Sequence, residues 1–240
     1  MQILTKCHWR SYLSFIWRLA LSLRYQTEES EERMVIQVND IILEGTVASE
    51  IVCDYDSFDH ELYKFQILVR RKSGVFDVLN CVSRDAKELK KGDRIRVYGY
   101  IRSRNEICGN KRHCHIYVFC KKYEKSEEEL ETNLVQIKGN ISKIGALRKT
   151  SSGRIYIIDF TVKVYDSIGV HYIPAIAWRK TAEMISGMKK WDEISFLGRF
   201  QSRDYEKQLE DGKREVRTAY EVSCNNILGE VKNETVKYES

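Results

Sequence analysis

Two stretches decide the fold: GDRIRVYGYIRSRN at 92–105 and WDEISFLGRFQSRD at 191–204. They align without a gap. Asp93/Asp192, Ile95/Ile194, Gly99/Gly198, Ser103/Ser202 and Arg104/Arg203 are identical, while Val97/Phe196 and Ile101/Phe200 keep their apolar character. Upstream, IILEGTVASE (41–50) corresponds to VQIKGNISKI (135–144), which sets Gly45 against Gly139. YKFQILVRR and IIDFTVKVY then correspond, with Phe65 opposite Phe160. Anchors in the same order at similar separations mark the duplication of a domain of about 100 residues.

Each copy reads as β-structure. Phe65, Ile67 and Val69 alternate with Gln66, Leu68 and Arg70, and Ile158, Phe160, Val162 and Val164 alternate with Asp159, Thr161, Lys163 and Tyr165. A period of two is the mark of a strand with one buried face. Gly99 and Gly198 fall inside strand patterns, where glycine marks a bulge or a sharp barrel bend. RDAKELKK (84–91) and RKTAEMISGMKK (179–190) each suit a short helix. The predicted fold is therefore all-β: two tandem OB-fold barrels, each a five-stranded Greek key with a short helix between strands 3 and 4. The expected organisation is an N-terminal extension at 1–33, a first barrel at 34–123, the acidic linker EKSEEELET at 124–132, a second barrel at 133–230 and a tail at 231–240.

The composition bounds the partner. With 42% hydrophobic and 31% charged residues the chain is an ordinary globular protein, and its net charge of +5 permits a nucleic-acid partner without arguing for one. Seven cysteines without a regular framework fit a reducing compartment. No apolar run approaches the roughly 20 residues of a membrane span, so no membrane partner is expected. YLSFIWRLALSLRY is interrupted by Arg18 and lacks a small-residue cleavage site before TEESEER, which argues against a signal peptide. Two readings of residues 1–33 stay open, a short amphipathic helix or translated sequence upstream of a true start at Met34, and the break in composition before Met34 favours the second.

The nucleic-acid argument rests on strand faces. In the first copy Arg94, Arg96, Tyr98, Tyr100, Arg102 and Arg104 alternate with the inward set Ile95, Val97, Gly99 and Ile101. Cations suit phosphates and flat rings suit stacked bases, so such a face fits single strands. The equivalent face of the second copy carries Arg199, Arg203 and Tyr205, with Glu193 intervening. Its second and third strands add Lys163, Tyr165, Tyr172, Trp178 and Arg179. Trp178 has a competing place in the core. Pro174, between Tyr172 and Trp178, makes that strand an edge or bulges it.

AWRKTAEMISGMKKWDEISFLGRFQSRDY followed by TAYEVSCNNI resembles the second half of a bacterial single-stranded DNA-binding protein domain, and GNISKI with LRKTSSGR and IIDFTVKV resembles its first half. The tandem arrangement resembles the two-copy relatives of Clostridia-type bacteria, with primosomal replication protein N a single-domain cousin. The resemblance covers nearly all of 133–229 and, more loosely, 37–123. It implies non-sequence-specific binding of single-stranded DNA in replication, recombination or repair, in the bacterial cytoplasm at the nucleoid. It makes Tyr172, Trp178 and Tyr205 base-stacking aromatics and Arg203 a basic strand residue. Trp191 stands where the family has a turn glycine, and CVS (81–83) replaces the Ala-Trp strand end in the first copy. Tetrameric members end in an acidic tail with an Asp/Pro/Phe motif; the stretch NETVKYES has none, so recruitment through such a tail is not expected. Two barrels per chain suit a homodimer that would reproduce a four-barrel assembly.

Catalysis finds no support: there is no Walker-type glycine loop and no Gly-x-Ser-x-Gly. Cys108, His113, Cys114, His115 and Cys120 cluster, yet their spacings are irregular and HCHIYVFC (113–120) reads as a strand, with neighbours on opposite faces. Neither a metal nor any other cofactor is expected. Two alternatives stay open: an RNA-binding OB protein, since stacking is indifferent to the sugar, and a protein-interaction module of a replication complex.

Overall fold

A computed structural model describes residues 38–56, 59–108, 111–127, 132–150, 153–208, 212 and 214–229. The proposed extension at 1–33 and the tail at 231–240 lie outside these. The first repeat contributes β1 (Val38–Val47), β2 (Val52–Tyr55), β3 (Glu61–Arg70), β4 (Phe76–Ser83), β5 (Arg94–Cys108) and β6 (Lys111–Lys125). The second contributes β7 (Asn133–Ile144), β8 (Arg148–Lys149), β9 (Tyr156–Asp166), β10 (Gly169–Trp178), helix α1 (Arg179–Ser186), β11 (Glu193–Gln208) and β12 (Arg214–Leu228).

Each repeat closes into a barrel. In the first, β1 pairs with both β3 and β5, β3 with β4, β4 with β6 in parallel, and β6 with β5. In the second, β7 pairs with β9 and β11, β9 with β10, β10 with β12 in parallel, and β12 with β11. This is the closure of the OB-fold. The alternating positions predicted to point inward are buried, with Phe65, Ile67 and Val69 in one core and Ile158, Phe160, Val162 and Val164 in the other.

The glycines have a geometric cause. A Cβ on Gly45 would sit 2.3 Å from the Leu68 carbonyl oxygen, and one on Gly139 would sit 2.5 Å from that of Lys163. These are the points where β1 and β7 bend to serve two neighbours at once. At Gly99 and Gly198 the ladder register slips by a residue, and a Cβ there would meet the Phe119 and Ser223 carbonyl oxygens at 2.0 and 2.5 Å. The sequence expectation of a bulge at both is correct.

The helix expectation holds only in the second repeat. In α1, Ala182 and Ile185 are buried one turn apart. The first repeat places Ala86 and Leu89 at the corresponding points, also buried, but spans them with turns rather than a helix. Its connection from Ser83 to Arg94 is shorter than that from Trp178 to Glu193, and it reaches its two apolar anchors before a helix can propagate. Both connections end alike: the Lys90 amide donates to Asp93 at 3.0 Å, and the Lys189 amide to Asp192 at 2.7 Å.

The barrels are not beads on a linker. β1 and β7 pair antiparallel, joining them in one 12-stranded sheet. The linker ends are also tied down. Glu44, fully buried on β1, accepts from Arg96 at 3.0 Å, from Thr132 at 3.4 Å and from Ser126 through a very short contact, while its amide donates to the Thr132 carbonyl at 2.7 Å. A buried carboxylate persists only with such partners.

Candidate nucleic-acid interface

The β9–β10 ribbon gathers the aromatic side chains. Along β9 the outward parity runs Tyr165, Lys163, Thr161; along β10 it runs Val170, Tyr172, Pro174. The register sets Tyr172 opposite Lys163 and Val170 opposite Tyr165. The Lys163 ammonium lies 4.7 Å from the Tyr165 ring centre and 5.7 Å from that of Trp191, which also receives Lys190 at 4.9 Å. Tyr165, Tyr172 and Trp191 are 46%, 41% and 56% exposed. A hydrogen bond with Tyr165 raises the Lys163 pKa, aided by Tyr172, so this cation stays charged at neutral pH. Exposed rings around a fixed ammonium are unusual for plain surface.

Pro174 interrupts nothing. β10 pairs with β9 continuously from Gly169 to Trp178, but its other side meets β12 only from Ala175 onward. Proline thus stands where that other side has no strand, the edge alternative rather than the bulge. Tyr172 and Trp178 share the outer parity, as an unbroken strand requires, but lie about 20 Å apart by strand rise. Trp178 is exposed rather than in the core, and Arg179 beside it adopts a positive φ of 55°.

The remaining second-repeat residues occupy a different region. The long hairpins β5–β6 and β11–β12 flank a cleft of about 760 Å³. Tyr205, Lys207 and Arg217 line one wall, and His113, Cys114 and His115 the other. Tyr205 lies across the ladder from Arg217. Arg203, 3.5 Å from Glu221, keeps a 53% exposed side chain. Arg199 is differently placed: it reaches Asp77 of the first barrel through a very short contact. Burial lowers its pKa, Asp77 raises it, and the neighbouring Arg71 lowers it again.

The first-repeat face departs from the open cationic strip expected on β5. Arg96 is committed to Glu44. Arg102 is only 6% exposed: it packs 3.9 Å from the Phe119 ring centre and donates to Asp166 of the second barrel at 2.6 Å. Tyr100 is half-buried, with Arg102 and Lys121 about its ring at 5.8 and 6.0 Å. Tyr98 donates to Glu124 at 3.5 Å, Arg94 is half-buried, and Arg104 is exposed. Alternation gives the parity correctly. It cannot give the carboxylates that other strands bring to the same face.

Trp191, Lys190, Lys207 and Arg217 are absent from the sequence candidates. The signal for Trp191 is the tryptophan in place of a turn glycine. Lys207 and Arg217 become candidates only when the second barrel's own hairpin is seen to wall a cleft. Among the described residues no group of three or more His, Cys, Asp or Glu is arranged to hold a metal ion, and no helix is long and apolar enough to cross a membrane.

The sheet registers let the repeats be compared position by position. Tyr165 corresponds to Arg70, Tyr172 to Val78, Trp191 to Gly92 and Tyr205 to Glu106. Each of these four exposed rings has a non-aromatic counterpart in the first barrel.

No protein-family model matches the chain, and neither does any curated protein. Solved structures do. A deletion mutant of the single-stranded DNA binding protein from Thermus aquaticus superposes with a TM-score of 0.65 at 18% identity, over 85% of this chain and all of that one. The wild-type Thermus aquaticus protein gives 0.64 at 19% identity, over 80% of this chain and 92% of that one. The chain has the all-β, tandem OB-barrel fold of these structures.

Proposed function

We propose that the protein is a non-enzymatic binder of single-stranded DNA, acting by phosphate neutralisation and base stacking with little sequence preference. The observation that carries this is the grouping of Tyr165 and Tyr172 around Lys163 on one exposed ribbon. A flat ring stacks on any base, and an adjacent ammonium meets the phosphate that follows, so the pair recognises a strand and not a sequence. The likeness in fold to a protein named for single-stranded DNA binding supports the same reading.

Tyr165, Tyr172, Trp178 and Tyr205 stack on bases in this proposal. Lys163, Arg179, Arg203 and Arg104 contact phosphates. Work at replication or repair intermediates in the bacterial cytoplasm, and assembly as a homodimer of four barrels, belong to the same proposal. Titration of labelled oligo(dT) at two salt concentrations tests it: binding should be saturable and should weaken as salt rises, because released counterions drive part of it. Matched oligo(rU) distinguishes an RNA binder, and sedimentation equilibrium reads the assembly. A chain that binds no oligonucleotide at low salt would overturn the proposal in favour of a protein-interaction module.

A further inference from the structure

The turn before the bulged strand is the same in both repeats and carries different residues. In the first, the Gly92 amide donates to the Val47 carbonyl at 2.9 Å, and Gly92 has φ of 95°. In the second, the Trp191 amide donates to the Ile141 carbonyl at 2.7 Å, and Trp191 has φ of 77°. Left-handed backbone is free for glycine and unfavourable for a bulky L-residue. Tryptophan therefore occupies a position whose backbone calls for glycine.

The fold does not explain this choice. A Cβ at Gly92 would meet nothing within 4 Å, so the turn has room for a side chain but offers no packing to offset the strained backbone. The Trp191 ring is 56% exposed and adds nothing to the core. Its neighbours instead are two lysines: Lys163 at 5.7 Å, on the aromatic ribbon, and Lys190 at 4.9 Å. The Asn140 side chain donates to the Trp191 carbonyl at 3.2 Å, bracing the strained turn from β7. Strain that is retained and braced, on a side chain directed away from the core, is characteristic of a ligand-contacting position.

We infer that Trp191 is a base-stacking residue of the second barrel, extending the Lys163–Tyr165–Tyr172 surface to the turn between α1 and β11. The inference rests on the proposal that the chain binds single-stranded DNA and adds a contact to it. Lys163 lies between the two parts, so a strand crossing from Tyr165 to Trp191 passes over a cation suited to its phosphate.

The test is W191G in the full chain, which installs the residue of the first repeat. Anisotropy of labelled oligo(dT) should show affinity reduced roughly 5- to 150-fold, the loss of one stacked base, with an unchanged salt slope. The melting temperature should hold or rise, since the strained residue is gone. W191F should retain most of the affinity. A W191G chain that binds as wild type does overturns the inference and leaves the DNA proposal standing. A wild-type chain that does not bind oligo(dT) overturns the DNA proposal, and the inference falls with it. If W191G fails to fold, W191N, whose side chain tolerates left-handed backbone, carries the same test. A stable W191N with wild-type affinity overturns the inference equally.

Discussion

Ile41 on β1 lies directly opposite Val135 on β7, and the two are the same position of the repeat. A pseudo-two-fold axis therefore passes between them, and the rest of the joint obeys it. Asn39 holds the Ile101 backbone through bonds of 2.6 and 3.1 Å, as Asn133 holds that of Phe200 through bonds of 2.7 and 2.8 Å. The Ser103 hydroxyl accepts from the Tyr172 amide at 2.9 Å, and the Ser202 hydroxyl from the Val78 amide at 3.1 Å. The identical serines of the repeat thus serve the contact between barrels, each pinning the other barrel's third long strand. One chain contains what a symmetric dimer of single barrels would form, and is free to differ on its two outer faces.

The joint contains a buried carboxylate whose loss should be costly. Asp77 is fully buried and accepts from Arg71 at 2.6 and 3.0 Å, from the Ser202 amide at 2.8 Å and from Arg199. Asp77→Ala leaves two guanidiniums partly buried without their counter-charge, a change that costs about 3–5 kcal/mol when the partners are fully desolvated. Both arginines keep some solvent contact, so a loss at the lower end, about 3 kcal/mol, is expected in urea denaturation. A loss under about 1 kcal/mol, the range of an exposed ion pair, would show that water can replace the carboxylate there.

Arg199 and Arg203 should separate by assay. Arg199 is already paired with Asp77, so Arg199→Ala should lower stability and barely alter the salt dependence of oligo(dT) binding. Arg203 is the more exposed, so Arg203→Ala should reduce the magnitude of the log K against log salt slope by about 0.7, the single-strand value per phosphate contact. Equal slopes for wild type and the Arg203 variant would remove Arg203 from the interface.

Much of this architecture is legible in the sequence because it depends on local patterning. The alternation in β3 and β9 fixes which face is buried, and the glycines at 45, 99, 139 and 198 mark the bends that close the barrels. The pairing of Arg96 and Arg102 on the β5 face is not legible in the sequence because Glu44 and Asp166 arrive from distant strands, and no periodicity within RIRVYGYIRSR encodes them. The first-repeat helix fails for a similar reason: RDAKELKK has helical composition, but the span it must cross is too short. Trp191 is visible as an anomaly, yet its meaning needs the backbone angle.

Acid should loosen the joint through Asp166. Burial acts to raise its pKa but is outweighed by the Ile168 amide, by Arg102 and by the nearby His171, so the pKa is lowered on folding. A carboxylate depressed in this way contributes stability above its unfolded pKa of about 3.9. That contribution is lost as pH falls through the folded value. Urea midpoints should therefore decline below about pH 4, and Asp166→Asn should start lower at neutral pH with a shallower acid decline. Parallel curves for the two proteins would show that Asp166 titrates identically folded and unfolded.

The difference between the repeats gives the most direct test of where bases stack. Tyr172 and Val78 occupy equivalent positions on β10 and β4, and the backbone amide of each is bonded to a serine of the opposite barrel. Their backbones are matched; their side chains are not. Tyr172→Ala should weaken oligo(dT) binding by roughly 1–3 kcal/mol with little change in salt slope, since a stacked ring releases few counterions. Val78→Ala should leave binding unaltered, because no ring is lost. The same contrast is expected at Tyr205, whose counterpart Glu106 would repel phosphate. Equal losses from Tyr172→Ala and Val78→Ala would indicate that both act through the joint and that stacking lies elsewhere. Normal binding after loss of each of Tyr165, Tyr172, Trp178, Trp191 and Tyr205 would move the site off the second barrel altogether. Arg104 and the exposed parts of the first barrel would then be the next positions to substitute.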